Sequence, residues 1–139
     1  MQLEVLLQER EEAAAPDAGG GLHLMAEWYD CLGRAQLLRV EHELRQTCVA
    51  ATHAAELTVV GDHFHTMPDG GVLGMVLLAE SHLAIRTWPA TAGVALDIFV
   101  CNHRNDNRHR ARALYAGLRA EFRPDGENLL QVGRSGASS

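Results

Sequence analysis

The chain reads as an α+β domain, a two-layer sandwich in which a mostly antiparallel sheet carries two helices on one face. Three observations predict this. Short β-type runs are punctuated by turns brief enough for hairpins. Two stretches repeat apolar residues at three- and four-residue intervals. The order along the chain is one strand, one helix, several strands and a second helix. The 139 residues suit one modest core rather than two domains.

Residues 1–21 are rich in Glu and Ala, then in Gly, and include Pro16 and Gly19-Gly20-Gly21; without apolar periodicity they read as a flexible N-terminal arm. A first strand is expected over 22–29. Leu37, Val40, Leu44, Cys48 and Ala51 then share one face of a helix from about 34 to 55. Four β-type runs follow, 57–66, 72–79, 82–88 and 93–101, broken by Pro68-Asp69-Gly70-Gly71 and by Pro89 to Gly93. The nearly continuous apolar run Val72 to Ala79 predicts a strand buried on both sides, and hence a second sheet packed against it in a homodimer. The capping types Asn105 and Asp106 mark the start of the second helix, whose apolar face is Ala111, Leu114, Tyr115, Leu118 and Phe122. After Arg123, Pro124, Gly126 and the run Gly136-Ala137-Ser138-Ser139 predict a loose tail over 124–139, leaving 22–123 as the folded part.

A formal charge of −6 disfavours phosphate backbones and anionic lipid on average. The one basic stretch, 103–112, holds His103, Arg104, Arg108, His109, Arg110 and Arg112 and reads as a solvated helix face, so no nucleic-acid partner is expected. The longest apolar run is strand-sized, so no membrane span is expected. Cys31, Cys48 and Cys101 lack zinc spacing and follow no signal-peptide pattern, which predicts a reduced cytoplasmic protein. His63 and His65 share a strand face but supply only two ligands, so no metal site is expected.

Polar groups interrupt the β pattern at Leu77-Leu78-Ala79-Glu80-Ser81-His82-Leu83-Ala84-Ile85-Arg86-Thr87-Trp88-Pro89 and Asp97-Ile98-Phe99-Val100-Cys101. Adjacent strand residues point to opposite faces, so Glu80, Ser81 and His82 form no hydrolase triad among themselves. The apolar run, Ala-Glu-Ser-His, Thr-Trp-Pro and Asp-x-Phe-x-Cys, at this spacing, resemble the bacterial S-adenosylmethionine decarboxylase family over most of 22–122, including Leu22 to Cys31 and the Val-Val-Gly before His63-Phe64-His65. The resemblance implies a self-cleaving enzyme of polyamine biosynthesis. Ser81 would attack the Glu80 carbonyl, and elimination would leave a pyruvoyl group, the cofactor, at the start of the chain 81–139. That ketone would condense with a substrate amine as a Schiff base and act as electron sink. Cys101 matches the family's proton donor. His82, beside the cut, has a possible processing role.

Four positions depart from the family pattern. Met67 stands for an aromatic residue and Arg86 for a histidine, the pair that flanks adenine in the family. Ala90 replaces a ribose-binding glutamate, and Leu73 a serine that assists cleavage, as the missing histidine does too. Three of these changes are explained together if the adenosine pocket has been given up, leaving a decarboxylase for a basic amino acid, L-ornithine or L-arginine. A distal cation needs an acid, and Asp62, Asp69 and Glu80 are the candidates. Met67, Arg86, Trp88 and Asp62 are the expected substrate-binding residues. The alternative substrate is S-adenosylmethionine itself; a third reading is an uncut regulatory homologue.

Overall fold

The structure, a computed structural model, describes residues 20–102 and 105–134. The expected arm lies outside them up to residue 19, as do His103, Arg104 and 135–139.

Six strands form one sheet: β1 (Gly21–Cys31), β2 (Val59–Thr66), β3 (Val72–Leu78), β4 (Ser81–Trp88), β5 (Gly93–Cys101) and β6 (Pro124–Arg134). Their spatial order is β2-β3-β4-β5-β1-β6, and every neighbouring pair is antiparallel. β2 to β5 form a meander joined by tight turns. β1 inserts beyond β5, and β6 closes the far edge. One face is covered by α1 (Gln36–Arg39), α2 (Glu41–Ala54) and α3 (Arg108–Phe122). The core lies between the layers. Leu22, Leu24 and Trp28 from β1, Leu83 and Ile85 from β4, and Leu96 and Ile98 from β5 pack there against Leu44, Cys48, Leu114, Leu118 and Phe122. These sheet residues alternate with half-buried or exposed ones, as the two-residue period of a strand requires.

Two expectations are corrected, the single helix over 34–55 and the loose tail. The predicted helix 34–55 is two helices, broken at Val40, whose backbone is extended (φ −105, ψ 109) and whose side chain is 41% exposed rather than on the apolar face. Buried Thr87 stitches the break into the sheet: its hydroxyl donates to the Leu38 carbonyl at 2.8 Å and accepts the Val72 N–H at 2.9 Å. The second long helix starts at Arg108: Asn107 stands at the N-cap position without a side-chain capping bond, and the expected capping residue Asp106 accepts the Arg108 N–H on Oδ1 at 3.0 Å.

The expected loose tail is, over Pro124–Arg134, the edge strand β6, paired along nearly the whole of β1. Pro124 and Gly126 read as loop residues, but a proline is tolerated at the first position of an edge strand. β6 is anchored by Glu127, which accepts hydrogen bonds from Tyr115 and Trp28 and an ion pair from Arg119 at 3.1 Å. The run from Val72 is covered on one side by this chain's own helices; the second sheet expected on its other side would belong to another copy. Val72, Val76 and Leu78 face the helices, while Leu73, Met75 and Leu77 are 46%, 41% and 47% exposed on the open face. Gly74 falls on the inner face between Val72 and Val76, where the Phe64 ring lies across it and leaves no room for a side chain; a Cβ there would stand 2.1 Å from that ring.

Candidate active site

β3 and β4 are joined by the two-residue turn Ala79-Glu80, both residues exposed, and the last pair of the hairpin is Leu78 with Ser81. Ser81 follows the inward phase of Leu83 and Ile85, whereas His82 takes the outward phase. The Ser81 Oγ accepts the backbone N–H of Cys101, the last residue of β5, at 3.1 Å. The Cys101 carbonyl accepts from Asn107 Nδ2 at 2.8 Å, and Asn107 Oδ1 accepts from Arg110 at 2.9 Å, so the start of α3 is fastened to the serine through the end of β5. The Cys101 thiol is pushed up from its ordinary pKa, first by burial and then by the negative charge of Glu80, with Arg134 opposing. A raised thiol keeps its proton at neutral pH, as a proton donor must.

On the open face beside this turn, Asp97 gathers two histidines. His23 Nε2 is 2.7 Å and His82 Nε2 3.5 Å from its Oδ1. Arg134 donates to His23 Nδ1 at 3.1 Å, which fixes the proton of a neutral His23 on Nε2, toward Asp97. His82 also lies against Phe99, ring centres 5.9 Å apart.

The same face carries a groove of about 710 Å³, mostly apolar, lined by Met25, Leu73, Ala84, Ala95 and Leu130 with Glu27, Asp97 and Arg86 as its charged groups. Arg86 is fixed there. It forms a two-point ion pair with Asp69 (2.8 and 3.3 Å), donates to the Thr87 carbonyl, and lies 4.9 Å from the centre of the Trp88 ring. The pair holds the Asp69 carboxyl below its usual range, chiefly through the Arg86 hydrogen bond.

The expected site residues therefore fall into separate places. Glu80, Ser81, His82 and Cys101 come together at one end of the hairpin. Arg86 and Trp88 lie five and seven residues further along β4, roughly 16 and 23 Å away at 3.3 Å per residue. Met67 closes the β2–β3 turn, its N–H donating to Gly71, and lines neither this groove nor the smaller cavity behind the Glu80 turn. Asp62 is removed from the substrate-binding set. It lies opposite Val76, on the helix side of β2, and its carboxylate is clamped by Arg45 at 2.8 and 3.0 Å. Two of the three acids proposed for a distal cation thus have partners already: Asp62 is held by Arg45 and Asp69 by Arg86, which leaves Glu80 at the turn. Leu73 and Arg86, the two changes that bore on self-cleavage, face one another across β3 and β4 and do not reach Ser81 of their own chain. Asn107, Arg110, His23 and Arg134 join the site from segments in which the sequence showed only a helix start, a basic run, a strand or a tail, and Asp97 from the motif that ends in Cys101.

Known proteins are similar to this chain in sequence and fold. The family model for S-adenosylmethionine decarboxylase matches residues 22–135. An S-adenosylmethionine decarboxylase proenzyme of Thermomicrobium roseum is 36% identical over 116 residues, covering 82% of this chain and 92% of the relative. A proenzyme of the same description from Thermotoga petrophila is 36% identical over 105 residues, 73% of this chain and 76% of that one. The crystal structure of the adenosylmethionine decarboxylase from Aquifex aeolicus VF5 shares the fold, with a TM-score of 0.74, 24% identity and coverage of 88% and 97%. The family model's match over residues 22–135, with 36% identity to a relative covered to 92%, places the chain in the S-adenosylmethionine decarboxylase family of pyruvoyl-dependent carboxy-lyases, whose proenzymes make the prosthetic group from a serine of their own.

Proposed function

We propose that the chain cuts itself between Glu80 and Ser81 and then decarboxylates S-adenosylmethionine as a homodimer of processed chains. The observation that carries the reading is the junction itself: an exposed turn whose serine hydroxyl is fixed by the Cys101 N–H, leaving its own proton free to be given up on attack at the Glu80 carbonyl. The residues fit a pyruvoyl group at position 81, which when present supplies an electron sink for the pair released with carbon dioxide. The Cys101 thiol, kept protonated by burial, is then suited to return a proton to the substrate's α-carbon. His82, turned away from the Ser81 hydroxyl, is better placed to border the substrate than to act as a base on Oγ.

S-adenosylmethionine is favoured over ornithine or arginine on three grounds. The relatives carry that description over most of their length. The groove on the open face is large for a small amino acid, and its Arg86 presents a planar guanidinium, which stacks on rings as an imidazole does. The acids a distal ammonium would need at Asp62 and Asp69 are engaged.

The dimer is supported by the apolar stripe Leu73, Met75 and Leu77, left open on the uncovered face. A second sheet packed there in antiparallel fashion would also bring the Arg86 end of one chain toward the Ser81 end of the other. Three free cysteines suit a reducing compartment and hence the cytoplasm.

The test is intact mass under denaturing conditions, followed by carbon dioxide release from S-adenosylmethionine, ornithine and arginine side by side. Two chains and fastest turnover of S-adenosylmethionine are expected. A single uncut 15.2 kDa chain would remove the catalytic reading in favour of a regulatory one. Faster turnover of ornithine or arginine would overturn the substrate.

A further inference from the structure

Behind the Glu80 turn, on the helix side, lies a cavity of about 240 Å³ bordered by Glu80, Ser81, Asn107 and Arg110. Arg110, in the first turn of α3, is tied to Ser81 by three successive hydrogen bonds: its guanidinium to Asn107, Asn107 to the Cys101 carbonyl, and the Cys101 N–H to Ser81 Oγ. Its Nε is buried and has no hydrogen-bond partner among the described residues. A buried donor on a permanently charged group is costly to leave unpaired. Such a donor, on a side chain that borders the same cavity as Glu80 and Ser81, suits an acceptor that exists only after the reaction.

The chemistry of cleavage supplies that acceptor. Attack of Ser81 Oγ on the Glu80 carbonyl carbon breaks the peptide C–N bond and forms an ester, with the nitrogen left as the amine of residue 81. Elimination then takes the α-proton of residue 81 to water and breaks its Cβ–Oγ bond, with the electron pair leaving on Oγ. The oxygen that Cys101 already holds becomes one of the two oxygens of the Glu80 α-carboxylate, and residue 81 takes up water and sheds ammonia to become the pyruvoyl group. We propose that Arg110 is the receptor for this leaving carboxylate, its Nε–H and the Cys101 N–H together stabilising the charge as it develops on the former serine oxygen. The assignment rests on self-cleavage at Glu80-Ser81 and adds the group that drives its second step.

The experiment uses the full chain and the variants Arg110→Gln and Arg110→Lys, followed in time by intact mass with and without hydroxylamine, which splits an ester at 80–81 and leaves amides whole. Wild type is expected to give two chains. Arg110→Gln should linger at the uncut mass yet be split by hydroxylamine, with conversion slowed by about ten-fold or more. Arg110→Lys keeps the charge, loses the Nε–H, and should be slowed with the same hydroxylamine signature; it carries the test alone if the glutamine variant does not fold. Either folded variant cutting at the wild-type rate, or remaining uncut and resistant to hydroxylamine, overturns the role of Arg110 while wild-type cleavage stands. A wild-type chain that is itself uncut and resistant removes the cleavage, and this assignment with it.

Discussion

Cys101 serves two purposes with different atoms. Its backbone N–H holds the Ser81 hydroxyl, and its thiol is the group read as proton donor. Truncating the side chain leaves the N–H in place, so the two purposes separate experimentally. Cys101→Ala is expected to yield the same two chains by mass while carbon dioxide release drops by about 10² to 10⁴, the usual contribution of a positioned acid. Undiminished turnover in that variant would return the cysteine to a packing role. Glu80, Ser81 and Cys101 were legible in the sequence because they sit in one short motif at fixed offsets. Asp97 stands in the same motif, but its partner His23 comes from a strand 74 residues away in sequence, and Arg134, which holds His23, from one 111 residues beyond His23, and no spacing rule connects them. Arg110 was visible only as one of a run of basic residues; what distinguishes it is a buried nitrogen, a property that exists only in three dimensions.

The elements separate along the same line. Strands 72–79, 82–88 and 93–101 were legible to within a residue because short turns bracket runs of β-type residues. The break at Val40 was not, since Leu37, Val40 and Leu44 keep helical spacing across it and only the backbone angles of Val40 betray the interruption. β6 was missed because an edge strand needs little apolar alternation, and its Pro and Gly mimic a loop. Thr87, buried with both hydrogen bonds used, is what makes the broken helix tolerable to the sheet. Thr87→Val preserves shape but strands the Leu38 carbonyl and the Val72 N–H, so a loss of about 2 kcal/mol or more in urea unfolding is expected. A change within measurement error would mean that water reaches both groups.

For the molecule as a whole, burial of acids that are neutral when protonated sets the alkaline limit of stability. Desolvation pushes the Cys48 thiol up to about 12; burial first, then the Asp30 charge, pushes Cys31 up to about 11. Tyr115 is raised as well, by burial and by Glu127. A folded pKa above the unfolded value means that the native state binds the proton more tightly. The associated stability is therefore complete below pH 9, the ordinary thiol value, and is lost as pH climbs through 11 and toward 12. The urea midpoint should fall across that window, and less steeply in Cys48→Ala; a midpoint flat from pH 9 to 11 would contradict it.

The strand order has a further result. A cut before Ser81 puts β1, β2 and β3 in one product and β4, β5 and β6 in the other. Yet β1 lies between β5 and β6, and β3 lies against β4, so three of the five ladders in the sheet would join different polypeptides. Neither half can be withdrawn without tearing seams on both sides of β1. The mature protein would be woven rather than assembled, a two-chain fabric that could only have been laid down as a single thread.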